Sequence, residues 1–290
     1  MHTLITGGAG FIGHNLWKTY GGYRVDDMSK GVFECDEIID CSLEFFTNWI
    51  QYHQPEHIVH LCGQSSNERS AEDPTNDLIR NVLTTQRLLS GCNYDVKSIT
   101  LASSMSVYGN NILAKESDVP KPLSWYGLHK LQAEQLLEQY SLQHPSVVCN
   151  SLRIYNCYGE TQDKNDMKQG MISIYEAMAD QGQIIVKGKG TRIRNFIHVD
   201  DLVQGIMLAV NRLKGNPYEV INMGTGVPRN VDEIVTKFGC SYKYTDPTPN
   251  DLDVCNADMS KAFNLLGFLP QDRVLSYISQ RSPHGKADQN

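Results

Sequence analysis

In the first half of the chain, short runs of nearly continuous apolar residues alternate with segments whose apolar residues recur at helical spacing. Continuous apolar runs are typical of strands covered on both faces, and helices between them are the usual crossover connections of a parallel sheet. The predicted strands cover residues 3–6, 23–25, 57–61, 98–103 and 147–153, and the predicted helices cover 43–52, 75–89 and 126–140. The pattern predicts an α/β fold, a Rossmann doubly wound parallel sheet.

After about residue 159 the regular alternation ends. A helix is predicted at 171–180, strands at 184–186 and 219–223, and a strand followed by a helix over 196–210. We expect residues 1–158 to form the first domain, with a returning segment near 190–212, and residues 159–280 to form mainly a smaller α+β lobe. Residues 281–290 are polar and without pattern, which predicts a disordered tail.

Composition narrows the class of protein. The 290 residues include 26 Lys and Arg against 33 Asp and Glu, a formal charge of −7, whereas a nucleic-acid-binding protein usually carries a basic surface. Hydrophobic residues make up 40% of the chain, enough for a sizeable core, but no apolar run is long enough to span a membrane. Met1 leads almost directly into the first predicted strand, which argues against a signal peptide. We therefore expect a cytoplasmic protein that binds neither nucleic acid nor membrane.

Eight cysteines are present, but no two have C-x-x-C spacing and no paired histidines accompany them. Cys62 and Cys149 lie in apolar runs, where a free thiol packs as a small hydrophobic group. We expect neither a metal site nor a disulfide framework.

A glycine-rich turn follows the first predicted strand. Gly7, Gly10 and Gly13 have G-x-x-G-x-x-G spacing and lead into a helix, whose first amide groups and positive dipole end attract phosphate. Asp26 ends the second predicted strand, 19 residues after Gly7, where a carboxylate is expected to bind the ribose hydroxyls of a dinucleotide. Because a carboxylate repels a 2′-phosphate, the pattern favours NAD as the cofactor over NADP.

A serine at a strand end and a Tyr-Lys pair form a second candidate site. Ser104 lies at the carboxyl end of the fourth predicted strand, the edge at which open α/β sheets bind ligands. Tyr126 and Lys130 are four residues apart and share a helix face. We expect the Lys130 ammonium to lower the pKa of the Tyr126 phenol from about 10, making Tyr126 a general base. Tyr108 is expected to pack or line the cleft, and His129 to point away from this face.

Taken together, these motifs resemble the extended short-chain dehydrogenase/reductase family, in its NAD-dependent nucleotide-sugar epimerase/dehydratase branch. The resemblance covers about residues 1–270. Its blocks are TGGAGFIG (6–13), VDDMSKG (25–31), VHLCGQ (59–64), NVLTT (81–85), SSMSVYG (103–109), YGLHK (126–130), LRIYNCYG (152–159), RNFIHVDD (194–201) and NMGTG (222–226).

The resemblance implies a set of ligand contacts. NAD is expected to contact Gly7, Gly10, Phe11, Ile12, Gly13, Asp26, Asp40, Cys41, Leu61, Asn81, Tyr126 and Lys130, with Asp40 and Cys41 beside the adenine. A nucleotide sugar, with a UDP-sugar favoured, is expected to contact Ser104, Ser106, Asn156, Arg194 and Asp251. Asn156 and Arg194 are expected at the diphosphate, since a guanidinium matches phosphate oxygens.

The resemblance also implies a homodimer through the helices predicted at 75–89 and 126–140. The candidate apolar contacts are Leu78, Val82, Leu89, Leu131 and Leu136, which serve equally well as monomer core.

The residues after Ser104 bear on the reaction. Dehydratases of this branch carry an Asp-Glu pair there, and decarboxylase relatives carry a glutamate at the second position, but this chain has Met105 and Ser106. The other reactions of this branch require only reversible oxidation of the sugar. We therefore expect a UDP-hexose 4-epimerase that oxidises sugar carbon 4 and reduces it again on the opposite face. A keto-sugar reductase or dehydratase of the same family, and a non-catalytic NAD-binding protein, stay open as alternatives. Arg24 and Lys30 near Asp26 also keep NADP open.

Two positions depart from the family pattern. Epimerases of this type usually carry an arginine in an R-x-G-D segment that binds the diphosphate, whereas this chain has Thr248 at the start of that segment, with Arg192 as a candidate replacement. Trp125 precedes Tyr126 where the family has a small residue or proline, and its indole is expected to narrow the cleft or pack at the lobe interface.

Overall fold

A computed structural model describes residues 2–247 and 252–281, and its strands and helices alternate along the first half of the chain. The strands are Thr3–Thr6 (β1), Tyr23–Asp26 (β2), Glu37–Ile38 (β3), His57–His60 (β4), Ser98–Ser104 (β5), Asn111–Ala114 (β6), Val148–Ile154 (β7), Asn156–Tyr158 (β8), Gln183–Lys187 (β9), Ile193–Arg194 (β10), Phe196–His198 (β11), Tyr218–Met223 (β12), Arg229–Asn230 (β13), Ser241–Thr245 (β14) and Cys255–Ala257 (β15). The α-helices are Phe11–Tyr20 (α1), Glu44–His53 (α2), Asn67–Glu72 (α3), Pro74–Leu78 (α4), Thr84–Gly91 (α5), Trp125–Gln143 (α6), Met171–Asp180 (α7), Val199–Val210 (α8), Val231–Lys237 (α9), Ser260–Leu266 (α10) and Val274–Arg281 (α11).

The central sheet has seven strands in the order β12-β7-β5-β4-β1-β2-β3, and every neighbouring pair is parallel. The chain starts at β1 and builds outward first through β2 and then, on the other side, through β4. The strand order therefore reverses between β1 and β4. In open α/β sheets ligands bind at the carboxyl edge beside such a reversal.

Helices cover both faces of the sheet. On one face, α2, α5 and α6 pack through Phe46, Leu88 and Leu137 against strand residues such as Ile58. On the other face, α1, α8 and α10 form a second cluster that includes Val59. Ile58 and Val59 are adjacent, so their side chains point to opposite faces and both are buried. This is the physical reason that the strands read as continuous apolar runs, and the predicted Rossmann fold is confirmed.

A smaller core lies outside the sheet. Residues of α7, β9, α9 and α11 bury Ile184, Val235 and Ile278 against one another. Strand β9 pairs in parallel with β14 in a separate two-stranded sheet. Strand β12, near this region in sequence, instead joins the edge of the main sheet beside β7.

Helix α6 is tied to the sheet by buried charge. Glu134 accepts hydrogen bonds from Arg153 of β7 at 3.0 and 2.7 Å and from the hydroxyl of Ser103 in β5. Arg153 also lies over the Tyr108 ring, 4.5 Å from its centre. Because Glu134, Lys130 and Tyr126 follow one another at intervals of one helical turn, anchoring Glu134 also positions the other two.

Two predicted helices differ in detail from the observed ones. The helix predicted at 75–89 contains a π-helical turn, Ile79–Leu83, between α4 and α5. A π turn shifts the helical phase locally and leaves little trace in the apolar pattern. Helix α6 starts earlier than predicted because the Ser124 hydroxyl accepts a hydrogen bond from the Gly127 amide and caps it.

The described parts of the chain, 2–247 and 252–281, contain no helix long and apolar enough to cross a membrane. Thr248, Asp251 and the tail from residue 282 lie outside the described residues. Helix α11 runs through Arg281, the position at which the tail was predicted to start.

Arg153→Ala should destabilise the protein by about 3–5 kcal/mol, since it leaves the Glu134 carboxylate buried without its partner. Lys97→Ala is the control, because the Lys97–Glu56 pair is exposed to solvent and its loss should leave the free energy of unfolding almost unchanged. Urea unfolding measures both. Equal losses in the two variants would contradict the role given to the buried pair.

Candidate active site

The glycine turn after β1 is tightly enclosed by backbone. Gly7 has φ +70°, and a Cβ there would lie 2.8 Å from the Cys62 nitrogen. At Gly13 a Cβ would lie only 2.3 Å from the Gly7 carbonyl oxygen. Helix α1 starts at Phe11 with no side chain capping its first amide groups. The turn thus presents free helix amides at the carboxyl edge of β1, an arrangement that suits a phosphate group.

Asp26 lies at the end of β2, beside the same glycine turn. Its Oδ2 accepts a hydrogen bond from the Ala9 amide at 3.1 Å, and its Oδ1 accepts one from the Met28 amide at 2.9 Å. The carboxylate is buried and holds the glycine turn against the end of β2. Each oxygen retains acceptor capacity for a hydroxyl.

The Arg24 guanidinium is held by two other side chains. It stacks on the Trp17 ring at 3.7 Å and lies 3.5 Å from the Asp36 carboxylate. A buried arginine held by two partners is a poor ligand for a 2′-phosphate. Arg24, the cation nearest in sequence to Asp26, therefore does not favour NADP.

The remaining predicted cofactor residues lie around the same edge of the sheet. Ile12 is partly buried against the core that contains α1 and α8. Asp40 accepts hydrogen bonds from the Ser42 amide and hydroxyl at 2.9 and 2.6 Å. Cys41 is buried, and a hydrogen bond with Cys62 together with burial raises the pKa of its thiol well above the usual range. Leu61 donates its amide to the Thr6 carbonyl at 3.1 Å.

Ser104 ends β5 and caps the short 3₁₀ turn Met105–Val107. Its Oγ accepts a hydrogen bond from the Ser106 amide at 3.1 Å and lies 3.2 Å from the Ser106 hydroxyl. Ser104 also hydrogen-bonds Tyr126, which brings the strand end and the start of α6 together. The sequence-predicted Ser104, Tyr126 and Lys130 therefore form one cluster.

Burial controls the charge state of this cluster. It raises the pKa of Tyr126 to about 12, an effect opposed by the Ser104 hydrogen bond and strengthened by the charge of Asp77. Burial lowers the pKa of Lys130 to about 8. The Lys130 ammonium lies 5.9 Å from the Tyr126 ring centre and donates to the Ala102 carbonyl at 2.9 Å. The predicted lowering of the Tyr126 pKa was wrong, because burial of the phenol has the largest effect and raises it.

On the side of the smaller lobe, Asn156 donates to the Asn195 carbonyl at 2.7 Å and lies 3.7 Å from the Met105 sulfur. Arg194 is buried, and burial lowers its pKa to about 10, so it remains a cation at neutral pH. Arg192 is also buried, and its guanidinium carbon would lie 3.4 Å from a Cβ at Gly188. The same Cβ would lie 3.3 Å from the Pro247 side chain, so Arg192 and Pro247 both lie close to Gly188.

Ion pairs join helix α3 to the loop between β8 and α7. Arg69 forms a bidentate pair with Asp166 at 3.0 and 2.6 Å, and Glu72 pairs with Lys168. Trp125 is half exposed, stacks on His129 with 5.9 Å between ring centres, and lines a cavity of about 460 Å³ together with α3.

Sequence reasoning missed one buried pair. His129 does not simply point away from the site: its Nδ1 lies 2.6 Å from the Asp77 carboxylate, and both side chains are buried. Asp77 and His129 are 52 positions apart, and no local spacing relates them. The one available signal was the placement of His129 between Tyr126 and Lys130.

A model of the NAD dependent epimerase/dehydratase family matches residues 3–224. The chain belongs to this family. The UDP-glucose 4-epimerase of Mycolicibacterium smegmatis is 30% identical, with 97% of each chain covered. The structure of UDP-glucose 4-epimerase with UDP-glucose from Thermotoga maritima is 26% identical, covers all of each chain and has a TM-score of 0.87. The structure of MoeE5 in complex with UDP-glucose and NAD is 27% identical, again over the whole of each chain, with a TM-score of 0.86.

The residues of this family member fit NAD. The glycine turn leaves no room for side chains, the first amides of α1 are uncapped, and Asp26 lies beside them with acceptor capacity. Among residues 2–247 and 252–281 no group of three or more His, Cys, Asp or Glu is arranged to hold a metal ion. The glycine turn, the first amides of α1 and Asp26 therefore suit a dinucleotide that is bound by backbone amides and one carboxylate.

Gly7→Ala should reduce both stability and the amount of NAD bound, because its Cβ would overlap the backbone at Leu61 and Cys62. Gly267→Ala is the matched control: Gly267 is in the left-handed α region (φ +66°, ψ 22°), nothing lies within 4 Å of its Cβ position, and only the left-handed backbone penalty of about 1–2 kcal/mol applies. Chemical unfolding and calorimetric titration with NAD measure the two effects. Equal behaviour of the two variants would contradict the enclosed turn as the NAD site.

Proposed function

We propose that this protein is an NAD-dependent UDP-hexose 4-epimerase. The observation that carries the proposal is the cluster of Ser104, Tyr126 and Lys130 at the carboxyl edge of the sheet, beside the glycine turn. A hydroxyl, a phenol and an ammonium in one buried pocket are the groups needed to move a proton on and off a sugar hydroxyl.

The chain's own residues supply the proton transfer. In its phenolate form, stabilised by the Lys130 ammonium, Tyr126 takes the proton of the sugar hydroxyl when the carbon is oxidised and returns it when the carbon is reduced on its other face. Ser104 hydrogen-bonds the same oxygen, and Lys130 provides positive charge beneath it. Bound NAD supplies a reversible hydride acceptor. Because each group returns to its starting protonation state, a single acid/base residue is sufficient.

The turn after Ser104 favours epimerisation over elimination of water. Met105 directs its sulfur toward Cys255, 3.0 Å away, and Ser106 hydrogen-bonds back to Ser104. Neither side chain titrates near neutral pH, so this turn supplies no second acid or base. A UDP-hexose is favoured as substrate because relatives that match nearly the full chain are named UDP-glucose 4-epimerases.

Binding of the substrate anion is assigned to the arginines of the smaller lobe. Arg194 is a cation at neutral pH, and it directly precedes Asn195, whose carbonyl accepts a hydrogen bond from Asn156. Arg192 lies near Gly188, as Pro247 does, and we assign to it the role of the arginine that the family carries and this chain lacks at Thr248. Guanidinium groups suit this task because they bind phosphate oxygens in pairs.

Tyr126→Phe should lower the rate of UDP-glucose to UDP-galactose interconversion by about 10²–10⁴-fold, since it removes the acid/base group. Tyr140→Phe on the same helix is the control, because its hydroxyl donates to the Cys92 carbonyl within the core. The assay includes N-acetyl and uronic forms of the sugar. A wild-type protein that interconverts none of them with NAD, or a fully active Tyr126→Phe, would refute the proposal, and product formed only with added NADPH would indicate a reductase.

We further propose a homodimer through α4, α5 and α6. Leu89 and Leu136 pack into the core of the sheet, so they do not supply the interface. Leu78 is 42% exposed and Val82 is partly buried, which leaves apolar surface on these helices.

Sedimentation velocity at micromolar concentration should give a dimer, and Leu78→Glu should weaken it by placing a charge in the interface. Tyr52→Glu on α2 is the control, since Tyr52 is 84% exposed and lies on a helix outside the proposed interface. A monomeric wild type would contradict the dimer.

A further inference from the structure

Asp77 is a fully buried carboxylate that the proposed reaction does not use. It accepts hydrogen bonds from side chains of three segments: His129 of α6 at 2.6 Å, Gln64 after β4 at 2.9 Å, and Asn81 of the π turn at 3.1 Å. Three side-chain contacts hold this buried carboxylate, and hydrogen-bonded buried groups of this kind favour one specific arrangement of the segments around them. The carboxylate is adjacent to the proposed proton-transfer residues.

Asp77 determines how the Asn81 amide points. Asn81 Nδ2 donates to the Asp77 carboxylate and to the Asp77 backbone carbonyl, each at 3.1 Å; both oxygens only accept hydrogen bonds, so the amide turns its Nδ2 toward Asp77 and its Oδ1 away. That Oδ1 is buried and has no hydrogen-bond partner among the described residues. A Cβ placed on Gly63 would lie 2.6 Å from Asn81 Oδ1 and 3.2 Å from Lys130 Nζ, so the amide oxygen and the ammonium face the same small space.

We propose that Asp77 is a positioning residue for the proton-transfer site: held by His129 and Gln64, it orients Asn81 and supplies the negative charge that faces Lys130. The inference rests on the proposed function only in taking Tyr126 and Lys130 as the proton-transfer residues. The positively charged form of Lys130 is the form that stabilises a phenolate.

The other groups around Lys130 supply less negative charge. Glu134 is already paired with Arg153 and Ser103, and Cys62 carries a thiol. His60 of β4 has its pKa lowered to about 3 by burial and is neutral at physiological pH. Ala102 contributes a carbonyl oxygen, and Tyr126 is protonated in the free chain. Asp77 is thus the carboxylate that opposes the desolvation of Lys130 most strongly, ahead of Glu134.

The charge of Asp77 raises the pKa of Lys130 and also that of Tyr126. Asp77→Asn should therefore lower both. Lys130 has a pKa of about 8, so a lower value makes more of it neutral at physiological pH. A fall of about one pH unit is the size expected on removing one buried opposite charge from the surroundings of an ammonium.

The test is a ¹³C NMR titration of lysine-labelled protein as purified, with the Lys130 Cε resonance identified by its absence from Lys130→Arg. The Lys130 midpoint should fall by about one pH unit in Asp77→Asn. The pH profile of epimerisation should move down in the same direction. Asp201→Asn is the control. It removes the charge of another buried carboxylate, which lies on α8 and pairs with Arg273, and it should leave the Lys130 midpoint unchanged.

A folded Asp77→Asn with an unchanged Lys130 midpoint would overturn the inference, as would a uniform loss of rate with no movement of the pH profile. If Asp77→Asn does not fold, His129→Gln replaces it. Glutamine keeps a donor beside Asp77 but cannot carry charge, so the Lys130 midpoint should stay or rise, and a fall would overturn the inference. A wild type inactive on every UDP-hexose would refute the proposed function and leave the NMR result standing.

Discussion

The buried ion pair between Glu134 and Arg153 fixes the position of α6 on the sheet, and the candidate site depends on that position. Arg153 comes from β7 and Ser103 from β5, and both bind the Glu134 carboxylate. Ser104 is the next residue after Ser103, while Lys130 and Tyr126 lie one and two turns before Glu134 on α6. The same contact that attaches the helix therefore brings the strand-end serine to the phenol and the lysine. A buried charge pair is an expensive way to gain stability but a specific way to set register, because only one alignment satisfies both charges.

Burial then decides the electrostatics of the cluster. Removing the phenol and the ammonium from water raises the pKa of Tyr126 to about 12 and lowers that of Lys130 to about 8, so burial shifts each group toward its neutral form. A site of this kind needs other groups to restore the charged forms. Within the described chain those are the Ser104 hydroxyl for the phenolate and the Asp77 carboxylate for the ammonium.

The acidic balance of the chain, −7 overall, has to be reconciled with an anionic cofactor and an anionic substrate. The structure offers hydrogen-bond donors and cations at the two expected binding sites. The glycine turn offers uncapped amides at the start of α1, and the smaller lobe buries Arg192 and Arg194 beside β10. Short-range donors in partly desolvated positions outweigh a diffuse negative surface, which salt screens over about 10 Å.

The amino-acid sequence by itself determined the features that depend on neighbours in the chain. Continuous apolar strands predicted the parallel sheet, glycine spacing predicted the turn at Gly7–Gly13, and the four-residue interval predicted that Tyr126 and Lys130 share a face. The π turn around Asn81, the anchoring of Glu134 and the Asp77–His129 pair were decided only by tertiary structure, because their partners lie far apart in sequence. The direction of the Tyr126 pKa shift belongs with them: proximity in sequence indicates which charges are near, but only the packed structure determines how much water is excluded from them.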